Sequence, residues 1–371
     1  KTTTTAMAAL VLMESGQDPS VHLGAEMADF HGTVRLGKPG GVLVSEACEY
    51  TGSFLRFHST TAVVLNIDYD HVDTFPNMEA VVDAFVAFAD RLPDGGLLVV
   101  PAFDGQVARM LARLRRLRAS AGRAMPRLVT FGLPVDRLAS AAPDMADDLA
   151  VLGLDGPPDV VAREIEWCEG RASFSAVADG EAYPRISLRI PGRHNLVNAL
   201  AAIACTHWNG ADAAAAARAL SAFRGADGRY SIRGTFRGAT VVTDYAHHPA
   251  AVRATLSAAA ETSHGRTWVV FQPLTYSRTR VLFDDFVDAL AGCEDVMLAE
   301  IFSDRETDPG DMSSRMLADA INARGGRALF FEQVGGIRDR LAERVAPGDL
   351  ILVLGPEDIR SLGDRLAAEG D

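Results

Sequence analysis

The chain opens on Lys1-Thr2-Thr3-Thr4-Thr5. A lysine followed directly by a hydroxyl residue is how a phosphate loop, GxxxxGK[ST], ends. Its glycine N–H groups cradle phosphate oxygens, its lysine reaches the β- and γ-phosphates, and the hydroxyl binds Mg2+. Only the last two positions of that pattern are present. The missing glycines and the lack of an initiator methionine lead us to expect a chain that continues upstream. Three further segments carry the same chemistry. Ser45-Glu46-Ala47-Cys48-Glu49-Tyr50 follows an apolar run, and strand ends are where α/β nucleotide folds place metal-binding carboxylates. Two solvated glutamates would explain the segment equally well. Asn66–Asp73 (NIDYDHVD) puts three aspartates and His71 within six residues, again after an apolar run. Hard oxygen donors favour Mg2+ over zinc, and a merely polar loop is the alternative. Asn195 and Asn198 lie three apart at a helix start, so they share a face. Asn195 could be a plain helix cap, and the two amides together could read the edge of a base.

The elements that must position these residues are legible as alternating patterns. Apolar runs at Gly41–Glu46, Thr61–Ile67 and Gly96–Pro101 read as buried strands. Met78–Leu92 and Val107–Ala121 read as amphipathic helices, and Ala6–Met13, Asn195–Trp208 and Ala211–Ala222 as apolar, largely alanine-rich ones. Leu23–Gly41 is a glycine-rich region. Leu128–Ile190 reads as short strands broken by Gly, Pro and Asp turns. Later come strands at Val241–Thr243, Trp268–Phe271, Val296–Ala299, Ala328–Phe331 and Leu350–Leu354. Helical patterns at Pro249–Ala260, Arg280–Leu290, Ser313–Arg324 and Ile337–Val345 separate them. Strand–helix alternation predicts a parallel α/β sheet. The Gly/Asp-rich segment Arg224–Gly228 marks the expected join between a domain of residues 1–228 and one of residues 229–371.

The 371 residues, 48% of them hydrophobic, suffice for two domains with separate cores. A net charge of −13 argues against coating nucleic acid, which needs a basic face. No apolar run is long enough to span a membrane, and no charged-then-apolar leader opens the sequence, so a cytoplasmic protein is expected. Cys48, Cys168, Cys205 and Cys293 form no CxxC pair and read as reduced thiols. Lys1 and Lys38 are the only lysines among 36 basic residues.

Taken in order, KTTTT, SEACEY, NIDYDHVD, GRHNLVNA, DGRYSIRG, DYAHHP and FQPLTYSRT resemble the motif series of the Mur ligases, the ATP-dependent amide-forming enzymes of bacterial cell-wall synthesis. SEACEY and DYAHHP are most similar to its alanine-adding branch, which joins L-alanine to UDP-N-acetylmuramate through an acyl phosphate. The resemblance implies a central P-loop ATPase-type domain with a parallel sheet, followed by a Rossmann-like α/β domain, with a UDP-binding domain upstream of both. It implies ATP and Mg2+ as cofactors. Lys1, Thr2 and Thr3 would hold the phosphates. Thr2 and Glu46 would bind one Mg2+, and His71 a second metal. His194, Asn195 and Asn198 would meet adenine, and Arg229 and Asp244 would clasp the nucleotide. Tyr245, His247 and Arg278 would face the sugar-acid and the acyl phosphate, with Lys1, His71 and Arg278 acting in catalysis.

The sequence departs from the series in three places. Leu274 stands where the family has a histidine, Gly228 where it has the first of two arginines, and Pro356-Glu357 where it has a flexible Ala-Gly turn. No lysine follows Lys38, so the carbamylated lysine of some relatives has no counterpart. A ligase that recycles muropeptides onto the same sugar-acid, and a nucleotide-binding relative with weakened catalysis, are the competing readings. A Rossmann dehydrogenase is disfavoured, because no GxGxxG follows a strand.

Overall fold

The computed structural model describes residues 1–370, apart from the side chains of Ala139 and Ala146. It divides into two compact units, Lys1–Ala226 and Asp227–Asp371. The division falls two residues ahead of the sequence boundary for a physical reason. The Gly228 carbonyl accepts from the Tyr245 N–H at 2.9 Å, and Asp227 pairs with Arg233 at 2.6 Å, so both residues are tied into the second unit.

The first unit opens on α1 (Thr2–Glu14), a helix buried on most of its surface. It packs on two later, alanine-rich helices whose small side chains allow close approach. The glycine-rich segment Leu23–Gly41, in which the sequence pattern marks no element, contributes most of β1 (Ser20–Met27) and all of β2 (Gly32–Arg35). With β3 (Leu43–Ser45) they form a three-stranded sheet. β1 lies in its middle, antiparallel to β2 and parallel to β3. Glycine content hid the signal that decides the matter: Val21, Leu23 and Met27 are buried while His22, Gly24 and Glu26 are exposed, a two-residue period.

Next come β4 (Thr61–Val63), α2 (Met78–Asp90), β5 (Leu97–Pro101), α3 (Gly105–Ser120) and β6 (Arg127–Gly132), then two short helices, α4 (Leu138–Ala141) and α5 (Ala146–Val151). β7 (Val160–Cys168), β8 (Arg171–Ala178) and β9 (Glu181–Ser187) follow, and α6 (Arg193–His207) and α7 (Ala213–Ala222) close the unit. The six strands β4 to β9 pair in chain order. β4 to β7 are parallel, and β8 and β9 extend the sheet as antiparallel hairpins, so the sheet is mixed rather than purely parallel. β5 is buried along its whole length, as a central parallel strand is. Its residues alternate between cores: Leu97 and Val99 face the α1/α6 side, Leu98 and Val100 the α2/α3 side.

The second unit holds β10 (Ser231–Phe236), β11 (Ala239–Asp244), α8 (Pro249–Ala260), β12 (Thr267–Phe271), α9 (Tyr276–Val281), α10 (Phe283–Leu290) and β13 (Asp295–Ala299). It continues through α11 (Ser314–Ala323), β14 (Ala328–Phe331), α12 (Val334–Arg344), β15 (Leu350–Leu354) and α13 (Glu357–Glu369). The strand order is β10-β11-β15-β12-β13-β14, parallel except for β10 at the edge. The chain leaves β11 for β12 and returns to lay β15 between them. Such a reversal of strand order opens a ligand crevice at the carboxyl ends of the strands. Asp244, Phe271 and Leu354 align there. The expected Arg280–Leu290 helix is two helices, broken at Leu282, whose backbone (φ −104°, ψ 23°) is non-helical. No helix among the described residues is long and apolar enough to cross a membrane.

Candidate functional site

In the first unit, the start of α1, the end of β3 and the loop after β4 converge. Lys1 sits at the N-cap position of α1, and its Nζ donates to Glu49 Oε2 at 2.7 Å and lies 3.7 Å from Cys48 Sγ. Burial alone would lower the Lys1 ammonium, but the Glu49, Cys48 and Glu46 charges outweigh it and hold the group above the usual lysine value. Thr2 Oγ1 donates to Glu46 Oε1 at 3.1 Å, and Glu46 Oε2 accepts from the Gly24 N–H at 2.9 Å. The strand register therefore fixes Glu46, since its own N–H bonds His22 O on β1 at 2.9 Å. Thr3 is buried in the first turn of α1.

His71 reaches the same cluster, its Nε2 3.6 Å from Glu49 Oε1 and its ring 4.9 Å from that of Tyr50. The loop that carries it is wound by its own aspartates. Asp68 Oδ1 accepts from Tyr69 N at 2.8 Å, and Asp70 Oδ1 from His71 N at 2.7 Å. His71 itself adopts φ 50°, a left-handed conformation that a β-carbon disfavours. The base of the loop is pinned by Asp104. This N-cap of α3 accepts from Gln106 and Val107 with one oxygen and from Ile67 N at 3.0 Å with the other. Among the described residues, the cluster of side chains placed to share a metal ion is Cys48, Glu49 and His71.

The expected metal set of Thr2, Glu46 and His71 lies in two parts. Thr2 and Glu46 pair directly, and His71 stands beside Glu49. Glu49 and Cys48 join this cluster although the sequence reading gave them no role, even within the quoted SEACEY segment. The Thr2 hydroxyl and the Glu46 carboxylate are hard oxygen donors side by side, a set that fits Mg2+. The thiol of Cys48 belongs to softer chemistry.

The asparagine pair is committed inside the protein. Thr4 Oγ1 donates to Asn198 Oδ1 at 3.0 Å, Asn198 Nδ2 to Asn195 Oδ1 at 3.2 Å, and Asn195 Nδ2 to Pro191 O at 2.6 Å. Asn195 is buried, and the N-cap of α6 is Gly192, so the capping alternative fails. The chain Thr4–Asn198–Asn195 ties α6 to α1, directly behind Lys1 and Thr2. His194 is half-buried, and burial pushes its imidazole down to about 4, leaving it neutral at physiological pH.

In the second unit, the expected residues gather at the carboxyl edge of β11. Asp244 Oδ2 accepts from Tyr230 N at 2.8 Å. Burial pushes its carboxyl up against the opposing pull of Arg229. The Arg229 guanidinium lies over the Tyr245 ring, 5.2 Å from its centroid. His247 packs edge-on to Tyr245 at 4.7 Å and bonds Tyr245 O through Nδ1 at 2.7 Å. His248 caps α8 by accepting from Ala250 N, with Pro249 at the first helical position. Arg278 stands apart from this group in α9, buried, with Nη1 donating to Leu274 O at 3.2 Å. Leu274, in the histidine position, is buried and acts as a packing residue.

Comparison with known proteins accords with this geometry. Residues 1–133 match the Mur ligase middle domain, and residues 228–356 match the family described as "Mur ligase, glutamate ligase domain". A UDP-N-acetylmuramate–L-alanine ligase of Acetivibrio thermocellus is 35% identical over 364 residues, 98% of this chain and 71% of that protein. The crystal structure of the UDP-N-acetylmuramate–alanine ligase of Thermotoga maritima superposes with a TM-score of 0.73 at 25% identity, covering 100% of this chain and 73% of that one. A MurF ligase of the same organism, solved in complex with ADP, shares the fold with a TM-score of 0.68 at 17% identity, covering 98% of this chain and 75% of that one.

Proposed function

The chain belongs to the Mur ligase family, and on that premise we propose that it joins L-alanine to UDP-N-acetylmuramate at the expense of ATP. The observation that carries the reading is the convergence of Lys1, Thr2, Glu46, Glu49 and His71 at the head of α1. A carboxylate is a poor electrophile. One of its oxygens therefore takes the γ-phosphoryl group, the bond from that group to the β-phosphate oxygen breaks, and ADP leaves. The amine of alanine then attacks the acyl carbon of the acyl phosphate and gives up a proton, the bond from that carbon to the phosphate oxygen breaks, and inorganic phosphate leaves the new amide.

The protein's part is charge neutralisation and in-line placement. Lys1 exchanges Glu49 for the β- and γ-phosphates, and Thr2 and Glu46 would hold Mg2+. When bound, that ion neutralises phosphate charge. Released from Lys1, Glu49 remains beside His71, where its carboxylate orients the imidazole. By the family resemblance, Arg229 and Asp244 would serve the nucleotide, and Tyr245, His247 and Arg278 the sugar-acid. His194 stands near adenine as a neutral ring, and Asn195 and Asn198 brace the head of α1 from behind.

The test measures phosphate release by the full-length protein with ATP, Mg2+, UDP-N-acetylmuramate and a panel of amines. Alanine-dependent release is expected. Release with a muropeptide tripeptide only would transfer the reading to the recycling ligase. ATP binding with no release for any amine would overturn both.

A further inference from the structure

The loops that leave β12 and β13 are fastened to each other where α9 begins. Phe302 N donates to Pro273 O and Thr275 N to Phe302 O, each at 2.9 Å, so Leu274 and Phe302 form a short parallel bridge. Beyond the bridge, half-buried Glu306 makes the next attachment. Its Oε2 accepts from the Ser277 N–H at 3.0 Å, and its Oε1 accepts from the Ser277 hydroxyl. Both oxygens of one carboxylate are committed to one residue in the first turn of α9, where N–H groups have no partner within the helix.

That turn needs holding. Thr275, its N-cap, is buried at φ 65° and ψ 144°, a region that a β-branched residue enters only where its surroundings impose it. The Thr275 side chain does not cap the helix, and Glu306, 29 residues beyond Ser277, supplies the acceptor instead. Arg278 stands on the same turn. Its Nη1 donates to Leu274 O at 3.2 Å, and Thr279 Oγ1 donates to Thr275 O at 2.7 Å. The place of the buried guanidinium thus depends on a backbone that the loop after β13 holds.

We propose that Glu306 is a positioning residue of the ligase reaction. By gripping Ser277 it fixes the first turn of α9, and with it the strained Thr275 and the guanidinium of Arg278, which by the family resemblance would face the sugar-acid. The inference rests on the ligase reading above, and every contact it uses lies within the second unit. A carboxylate suits the task because it accepts from both Ser277 donors and brings no donor of its own. A cap of this kind could also serve stability alone, and the two roles differ in whether the effect passes through Arg278.

Phosphate release by the full-length protein, with ATP, Mg2+ and alanine fixed and UDP-N-acetylmuramate varied, gives the first test. Glu306→Ala should lower kcat/KM for the sugar-acid on the order of ten-fold, since a misplaced guanidinium orients it poorly, and should leave the KM for ATP unchanged. Glu306→Gln, which keeps one acceptor oxygen, should recover part of the loss. Ser277→Ala, which removes only the hydroxyl, should show a smaller loss of the same kind, and it carries the test if circular dichroism shows that Glu306→Ala does not fold. The deciding measurement is calorimetric affinity for UDP-N-acetylmuramate, which needs no turnover, with each substitution placed on Arg278→Ala. Neither should weaken binding further there, because the group they position is gone. Wild-type kinetics in Glu306→Ala, an equal rise in the KM for ATP, or an undiminished loss on the Arg278→Ala background would overturn the positioning role. The two proposals fail distinguishably. A wild type that releases no phosphate with any amine overturns the ligase reading and this inference with it. A wild type that releases phosphate with alanine, matched by Glu306→Ala, overturns this inference alone.

Discussion

At the scale of single residues, Glu49 joins two side chains of the cluster. An ammonium must be paired or solvated, and Glu49 holds Lys1 at 2.7 Å while standing 3.6 Å from His71. Lys1→Ala should lower kcat by at least about a hundred-fold, because phosphoryl transfer loses a preorganised charge, while leaving the fold intact. Phosphate release and circular dichroism together check this. Glu49→Gln should keep the fold but leave Lys1 less well held, which would show as a higher ATP requirement. His194 supplies a pH prediction. Its folded value of about 4 lies below the ordinary 6.5, so the unfolded chain takes up its proton first. The stability it contributes is complete above pH 6.5 and is lost as pH falls toward 4, by on the order of 2–3 kcal/mol. Urea unfolding at pH 7 and pH 4.5 should show this loss, and His194→Gln should flatten it. That Lys1, Thr2, Glu46 and His71 belong together was legible in the sequence, because phosphate and Mg2+ chemistry call for those types at strand and helix ends, and the fold does bring them to one place. The part of Glu49 was not, since a second acid in the same segment has no spacing that marks it. The approach of Arg360 to Gly228 was invisible, because only folding joins positions so far apart in the chain.

At the scale of elements, one buried arginine holds the central sheet's helices in place. Arg118, fully buried in α3, donates to Asp90 Oδ1 at 3.0 Å, Asp90 O at 2.9 Å, Leu92 O at 2.6 Å and Ala124 O at 2.8 Å. It thereby satisfies carbonyls at the end of α2 and in the turn before β6, which the helix itself cannot pair. Arg118→Ala should cost about 3–5 kcal/mol, since a large buried side chain is lost, Ala124 O loses its guanidinium donor, and Asp90 and Leu92 O keep only Arg123. Arg118→Lys should restore only part, having one ammonium for several acceptors. Denaturant titration measures both. The helices with a clear apolar stripe, such as α2 and α8, were readable to within two residues. The elements that escaped include β1, β2, β10 and α13. The first two hide in glycine-rich sequence, β10 is a half-exposed edge strand, and α13 follows a Gly-Pro pair that reads as a loop. Each owes its form to packing on neighbours far away in the chain rather than to local pattern, as the register of β10 on β11 shows.

At the scale of the whole molecule, the two units keep separate cores. The cores of the first gather residues up to Ala226, and those of the second begin at Tyr230. Burial of apolar surface is the main source of stability, so damage to one core should be felt in that unit. Calorimetry should therefore resolve two transitions. Arg118→Ala should lower the one belonging to residues 1–226. Gly363→Ala should lower the other by about 1–3 kcal/mol, because its β-carbon would press on Thr243 at 2.3 Å and push α13 off the sheet. Cleavage by a protease during heating assigns each transition to its unit. A single transition lowered alike by both substitutions would mean that the chain unfolds as one cooperative body.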